Sequence, residues 1–191
     1  VIPSEMDNAR EALAGIDQVE IVEMESDDSW IRDTGPTFLL NADKSERRGV
    51  DWKFNAWGEV GKVDGVNYVT WEKDSLIASR VLELEKSGRY EADFILEGGS
   101  IHVDGEGTVL VTEECLLNPN RNPHLSKEQI EDRLKMYLNV SKIIWLPLGL
   151  TADEDTNGHI DNFCCFYDVA KVLLAWCEDP SDPQYAISHD A

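Results

Sequence analysis

Positive charge is scarce in this sequence: 17 Lys and Arg face 38 Asp and Glu over 191 residues, a formal net charge of −21. Such a surface repels nucleic acid and anionic membranes and draws cations in, so the expected partner is a small cation. Most of the acids individually read as a solvated, solubilising surface. Long apolar runs are missing too. The longest, Ile143 to Leu150, is broken by Pro147 and is far short of the roughly 20 residues a membrane span needs. The sequence starts on "VIPSEMDNAR", from which no secretory signal is expected. Cysteine is limited to Cys115, Cys164, Cys165 and Cys177, with no CxxC or disulfide-like spacing. Free thiols in a reducing, cytoplasmic compartment are therefore expected, and Asn139-Val140-Ser141 reads as a chance match to a glycosylation acceptor.

What is present suits one α/β domain, or part of a larger one, since 42% hydrophobic residues can build a sizeable core. "SEMDNAREAL" has helical spacing after a Ser4 cap, and "VEIVEME" alternates like a strand. "PTFLLNADKSERRGVDWKFNAW" predicts two strands joined by a polar turn. "KDSLIASRVLELEKSGRY" predicts a helix capped near Asp74 or Ser75 and ended by Gly88. "SIHVDGEGTVLVTEECLLN" predicts a hairpin turning at Asp104-Gly105. "LSKEQIEDRLKMYLNV" predicts a second helix with Ser126 and Gln129 as a capping box. A buried strand, "KIIWLPLGL", and a further hairpin, "IDNFCCFYDVAKVLLAWCED", follow.

The hairpins share a preceding turn that carries glycine and a carboxylate: "RDTGP", "LEGGS" and "NGHID". Their acids, Asp33, Glu97 and Asp161, follow one another at 64-residue intervals. Equal spacing and equal local grammar suggest a diverged repeat, and repeats set around an axis would gather these acids at the centre. Gly98 and Gly99 read as positive-φ positions of a tight turn. Carboxylates crowded around His159 suit a metal or a planar cation. His159-x-Asp161 is not a zincin pattern and the acidic run lacks calcium-loop grammar, so no metal is expected. A guanidinium, which a carboxylate meets with two parallel hydrogen bonds, fits better.

Four blocks, "DDSWIRDTGPT" (27–37), "FNAWG" (54–58), "LEGGSIHVDGEGT" (96–108) and "EDTNGHIDN" (154–162), together resemble the agmatine deiminases of the guanidine-modifying pentein family, in a plant-like wording. The peptidylarginine deiminases share the acid and histidine scaffold. The resemblance implies a five-bladed α/β propeller, of which residues 1–191 would cover about three blades of a single domain. It also implies hydrolysis of agmatine to N-carbamoylputrescine and ammonia, in putrescine biosynthesis, through a covalent cysteine intermediate and without a cofactor. On this resemblance Asp33 and Asp161 hold the guanidinium nitrogens, His159 is general acid and base, and Glu97 orients it. Trp30 walls the pocket and Asp155 receives the far ammonium.

Structural alternatives remain for each residue. Asp33 could pair with Arg32, His159 could be a satisfied core histidine, Trp30 could be core packing, and Asn55, Trp57 and Gly58 read as a structural loop. The family's nucleophile lies in a Gly-rich "GGNIHC" turn, which is not in this sequence, and none of the four cysteines follows a glycine turn. Cys115 is expected late in a hairpin strand. A peptidylarginine deiminase-like enzyme, and a non-catalytic acidic module that binds guanidines or polyamines, are the competing readings. Homo-oligomerisation is compatible with all of them.

Overall fold

The computed structural model describes residues 1–59, 62–63, 66–67 and 70–191. Among these residues ten strands form four small sheets: β1 (Thr37–Leu40), β2 (Arg47–Lys53), β3 (Lys62–Val63), β4 (Val66–Asn67), β5 (Gly88–Ile95), β6 (His102–Val103), β7 (Thr108–Thr112), β8 (Lys142–Leu146), β9 (Cys164–Asp168) and β10 (Lys171–Leu174). Among the described residues no helix is long and apolar enough to cross a membrane.

The two larger sheets repeat one plan. In the first, β1 and β2 form an antiparallel hairpin, the helix Ile77–Leu84 crosses over, and β5 returns parallel to β2. In the second, β6 and β7 form the hairpin, the helix Lys127–Leu138 crosses over, and β8 returns parallel to β7. The antiparallel pair β9–β10 opens a third hairpin. The 64-residue sequence interval thus corresponds to a recurring ββαβ unit.

Local chemistry accounts for the second unit. The Asp104 carboxylate accepts from the N–H groups of Glu106 (2.8 Å) and Thr108 (2.9 Å), while Gly105 and Gly107 supply φ of 77° and 99°. The helix Lys127–Leu138 starts on the expected capping box, Gln129 N–H to Ser126 Oγ and Ser126 N–H to Gln129 Oε1, and stops at left-handed Asn139. Its Ile130, Leu134 and Leu138, four apart on one face, pack with Val109 and Val111 of β7 and with Val50, Trp52, Phe94 and Leu96 of the first unit. Trp52 meets Phe94 and Tyr137 edge-on, both at 5.5 Å.

Several expectations are corrected. The helix near the start is Met6–Ala12, entered through a 3-10 turn at Pro3–Glu5, so Ser4 lies inside that turn and caps nothing. "VEIVEME" is not a strand. It has no partner strand among the described residues, and Val22 and Met24 bond instead to Val1. The helix over 73–90 is a 3-10 turn, Asp74–Leu76, followed by Ile77–Leu84. Left-handed Lys86 ends it, and Gly88 opens β5, a strand absent from the sequence reading. Asp74 caps no helix and instead accepts from the N–H groups of Asp27 and Asp28. The segment Glu113–Leu116 is a short helix, because Thr112 Oγ1 accepts the Cys115 N–H at 3.2 Å; Cys115 is therefore helical and fully buried. Strand β8 stops at Leu146, before Pro147, and is only half-buried.

Candidate active site

Each repeat unit delivers its acid from a short helical turn just ahead of its hairpin. Asp33 lies in Ile31–Thr34, Glu97 immediately precedes Gly98–Ser100, and Asp161 lies in Ile160–Asn162. The first turn packs on the second and the second on the third, which brings the three acids and His159 together. Close backbone approach makes this possible. A Cβ on Gly98 would sit 1.9 Å from the Arg32 carbonyl oxygen; one on Gly99 would sit 2.5 Å from His159 Nδ1, 2.7 Å from Asp33 Oδ1 and 2.9 Å from Asp161 Oδ2. Neither glycine has a positive φ, so the reason for glycine in "LEGGS" is room and not the expected backbone conformation.

Asp33, 7% exposed, accepts from the Gly99 N–H through Oδ1 (2.9 Å) and from the Trp57 indole N–H through Oδ2 (3.0 Å). It makes no ion pair with Arg32 among the described residues, and its Oδ1 lies 3.7 Å from His159 Nδ1. The other imidazole nitrogen, Nε2, lies 3.7 Å from Glu97 Oε2. Neither Nε2 nor Oε2 has a hydrogen-bond partner among the described residues, although both are buried. His159 is therefore not a satisfied core histidine. Asp161 stands at the open edge of the group and is exposed.

These neighbours set the protonation states. Burial alone would strip the proton from His159, but Glu97, Asp33 and Asp161 outweigh it and raise the imidazole pKa above its ordinary value. Burial would likewise raise Glu97, yet His159 and Arg121 win and hold its carboxyl low. Asp161 moves the other way: desolvation of its inner side, reinforced by Asp33, raises its pKa against the pull of His159.

Three supports lie outside the roles expected from the sequence. Arg121, fully enclosed with Glu97, donates from Nε to Glu97 Oε1 at 2.6 Å and from its other nitrogens to Asn157 Oδ1 (2.9 Å) and the Thr156 carbonyl (3.1 Å). It fixes Glu97 and the turn ahead of His159 at once. Asp153 accepts from the N–H groups of Thr156 (2.8 Å), Gly158 (2.9 Å) and His159 (3.0 Å) and from the Thr156 hydroxyl. Burial opposes its ionisation, but these donors prevail and lower its pKa. An aspartate shortly before Thr-Asn-Gly is an Asx-turn signal, so Asp153 was legible in principle. Trp57 is the third. It belongs to a left-handed stretch with φ of 51° at Ala56, 55° at Trp57 and 88° at Gly58, which turns its indole N–H onto Asp33. The "FNAWG" loop is thus more than a structural corner.

Trp30 and Asp155 are not drawn in with the others. The Trp30 side chain is 58% exposed, which removes it from the core, and Asp155 is exposed with its N–H on Asp153. Two carboxylates beside one imidazole nitrogen offer paired acceptors to a planar cation, with a proton donor between them. On the far side, ligand atoms of Glu97, Cys115 and His159 lie within 4.8 Å of one another, the described group able to hold a metal ion. Cys115 is no nucleophile, since burial, with Glu97, raises its pKa well above the usual thiol value, and burial pushes Cys164 up to about 11.

Comparison with known proteins follows this geometry. Residues 1–191 match the Porphyromonas-type peptidyl-arginine deiminase family. An agmatine deiminase of Pseudomonas syringae pv. tomato is 56% identical over 192 residues, covering 100% of this chain and 50% of the relative. One from the plant Medicago truncatula is 54% identical over 195 residues, covering 98% and 51%. Among solved structures, agmatine deiminase of Enterococcus faecalis superposes with a TM-score of 0.89 at 47% identity, covering 100% of this chain and 51% of its own. A substrate-bound agmatine deiminase of C. jejuni gives 0.84 at 36%, covering 96% and 52%. The chain spans about half the length of the curated relatives it matches.

Proposed function

The chain belongs to the Porphyromonas-type peptidyl-arginine deiminase family, and on that premise we propose that it is part of an agmatine deiminase, which hydrolyses agmatine to N-carbamoylputrescine and ammonia. One observation carries the reading: Asp33 Oδ1, Asp161 Oδ2 and His159 Nδ1 all face the one space that a Gly99 side chain would fill. Agmatine deiminases of 54% and 56% identity over nearly the whole chain support it.

The roles follow from chemistry. Asp33 and Asp161 accept from the guanidinium nitrogens and hold the plane in place. A cysteine thiolate from outside this chain attacks the guanidinium carbon, and His159, whose pKa its neighbouring acids raise, gives its proton to the departing ammonia. Water then attacks the thiouronium carbon, one of its protons returning to His159 and the other going to the released ammonia as the carbinol collapses. The sulfur leaves as thiolate and the ureido product forms. Glu97, itself fixed by Arg121, holds the imidazole from its Nε2 side. Nothing in these steps calls for a cofactor. Trp30 and Asp155, both exposed, are assigned to the rim of the pocket, Asp155 toward the substrate's ammonium.

The same reading includes the finer architecture: one pentein domain, five blades in the full-length protein with about three contributed here, and a cytoplasmic setting in polyamine biosynthesis. The test is to incubate the full-length protein with agmatine and follow ammonia together with the product's mass. Equimolar ammonia and N-carbamoylputrescine support the proposal. Agmatine left intact while peptidyl-arginine is consumed refutes it.

A further inference from the structure

We propose that Cys115, His159 and Glu97 form a binding site for a thiophilic divalent ion such as Zn²⁺, and that filling it switches the catalytic histidine off. The switching half rests on the function proposed above; the site itself does not.

His159 Nε2 and Glu97 Oε2 face each other at 3.7 Å, both buried and both without a hydrogen-bond partner among the described residues. Buried polar atoms left in this state are uncommon and point to something that completes them. Glu97 Oε1 is already taken by Arg121, so Oε2 is the oxygen left to coordinate. The Cys115 sulfur completes the set, all within 4.8 Å, and Cys115 is 0% exposed. A tetrahedral ion with bonds of about 2.0–2.3 Å spaces neighbouring ligand atoms roughly 3.3–3.8 Å apart. The nitrogen and oxygen, 3.7 Å apart, are already at that spacing, and the sulfur, within 4.8 Å of both, would have to close in on the ion.

The backbone holds this arrangement. Thr112 Oγ1 accepts the Cys115 N–H at 3.2 Å and donates to the carbonyl of Gly158 at 2.7 Å, the residue directly before His159. A thiolate, an imidazole and a carboxylate are a zinc-type donor set, and the negative charge of Asp33 and Asp161 nearby offsets the Arg121 guanidinium bonded to Glu97. The position was hidden in sequence because the three ligands come from three separate elements.

Binding releases the Cys115 thiol proton and the Nε2 proton of His159, so charge and protons balance. A histidine metallated at Nε2 carries at most one proton, on Nδ1. It can no longer cycle between imidazole and imidazolium, and ammonia departure loses its acid.

The test uses the full-length protein with its nucleophilic cysteine replaced by alanine, titrated with Co²⁺ while the sulfur-to-cobalt charge-transfer absorption is followed. One equivalent of Co²⁺ should produce the band, Cys115→Ser and Cys115→Ala should abolish it, and Cys177→Ser should leave it intact. In the unaltered full-length enzyme, Cys115→Ser should keep its metal-free ammonia release and need roughly tenfold more Zn²⁺ or more for half inhibition. Absence of the band, its survival in both Cys115 variants, or unchanged Zn²⁺ sensitivity overturns the site. A cobalt band in a protein that does not act on agmatine would sink the deiminase reading and leave the metal site standing.

Discussion

Arg121 Nε meets Glu97 Oε1 at 2.6 Å with neither side chain exposed, a buried ion pair behind His159. Removing one partner would strand the other charge, which typically costs about 3–5 kcal/mol. Arg121→Met should therefore lower unfolding stability by that order and lose activity with it. Arg121→Lys should recover only part, because an ammonium cannot serve Glu97, Asn157 and Thr156 together as the guanidinium fork does. Denaturant unfolding of the two variants beside the parent checks this, and equal midpoints would deny Arg121 its role.

Gly99→Ala should fold and yet lose nearly all activity, since its methyl would stand 2.5 Å from His159 Nδ1 and 2.7 Å from Asp33 Oδ1. Gly105→Ala is the control. It meets nothing within 4 Å and bears only the strain of its φ of 77°, about 1 kcal/mol. Ammonia release with circular dichroism on both variants separates crowding of the site from general damage.

Asp153 gives a pH dependence with a definite sign. Its folded pKa lies below the ordinary 3.8, burial being outweighed by donors from Thr156, His159 and Asn162. The stability it adds is thus fully present above that unfolded value and is lost as pH falls through the lower, folded one. Asp153→Asn should be less stable than the parent at neutral pH, by about 1.5–3 kcal/mol in all, since the group is only part-buried and the amide keeps one acceptor. The gap should narrow once the pH drops below 3.8. A gap that stays constant into acid would mean that the charge is irrelevant.

The four groups at the centre were legible because chemistry and interval coincided: Asp33, Glu97, Asp161 and His159 sit in matching turns, and the structure packs those turns on one another. The capping-box helix and the Asp104-Gly105 hairpin were legible because each is decided within a few residues. What escaped is what depends on distant partners. Strand β5 exposes Glu91 and Asp93 beside buried Ala92 and Phe94, so only its second half alternates, and Gly88 resembled a helix stop. Arg121 is a lone arginine between asparagines until Glu97, 24 residues away in sequence, is placed against it. The glycines of "LEGGS" were read correctly as special and for the wrong reason, because close approach to another turn leaves no local trace.

Substrate choice follows from the acids. A pocket lined by Asp33 and Asp161, with Asp155 toward its rim, should favour agmatine over free arginine, whose α-carboxylate would be repelled, by at least about tenfold in kcat/KM. Asp155→Ala should erode that preference. A parent enzyme equally fast on arginine would contradict the electrostatic argument, and an unchanged preference in the variant would remove Asp155 from it.

Calorimetric titration with agmatine tests the central claim most directly, using the full-length protein with its nucleophile replaced, alone and with either Asp161→Asn or His159→Ala. The account holds that Asp161 binds the guanidinium and His159 only moves its protons. Asp161→Asn should then weaken binding by about 2–5 kcal/mol, while His159→Ala, which removes a cation from beside the substrate, should bind at least as tightly as its parent. Asp161→Asn binding agmatine as tightly as its parent would contradict the account, because the carboxylates gathered around Gly99 would then not be what holds the substrate.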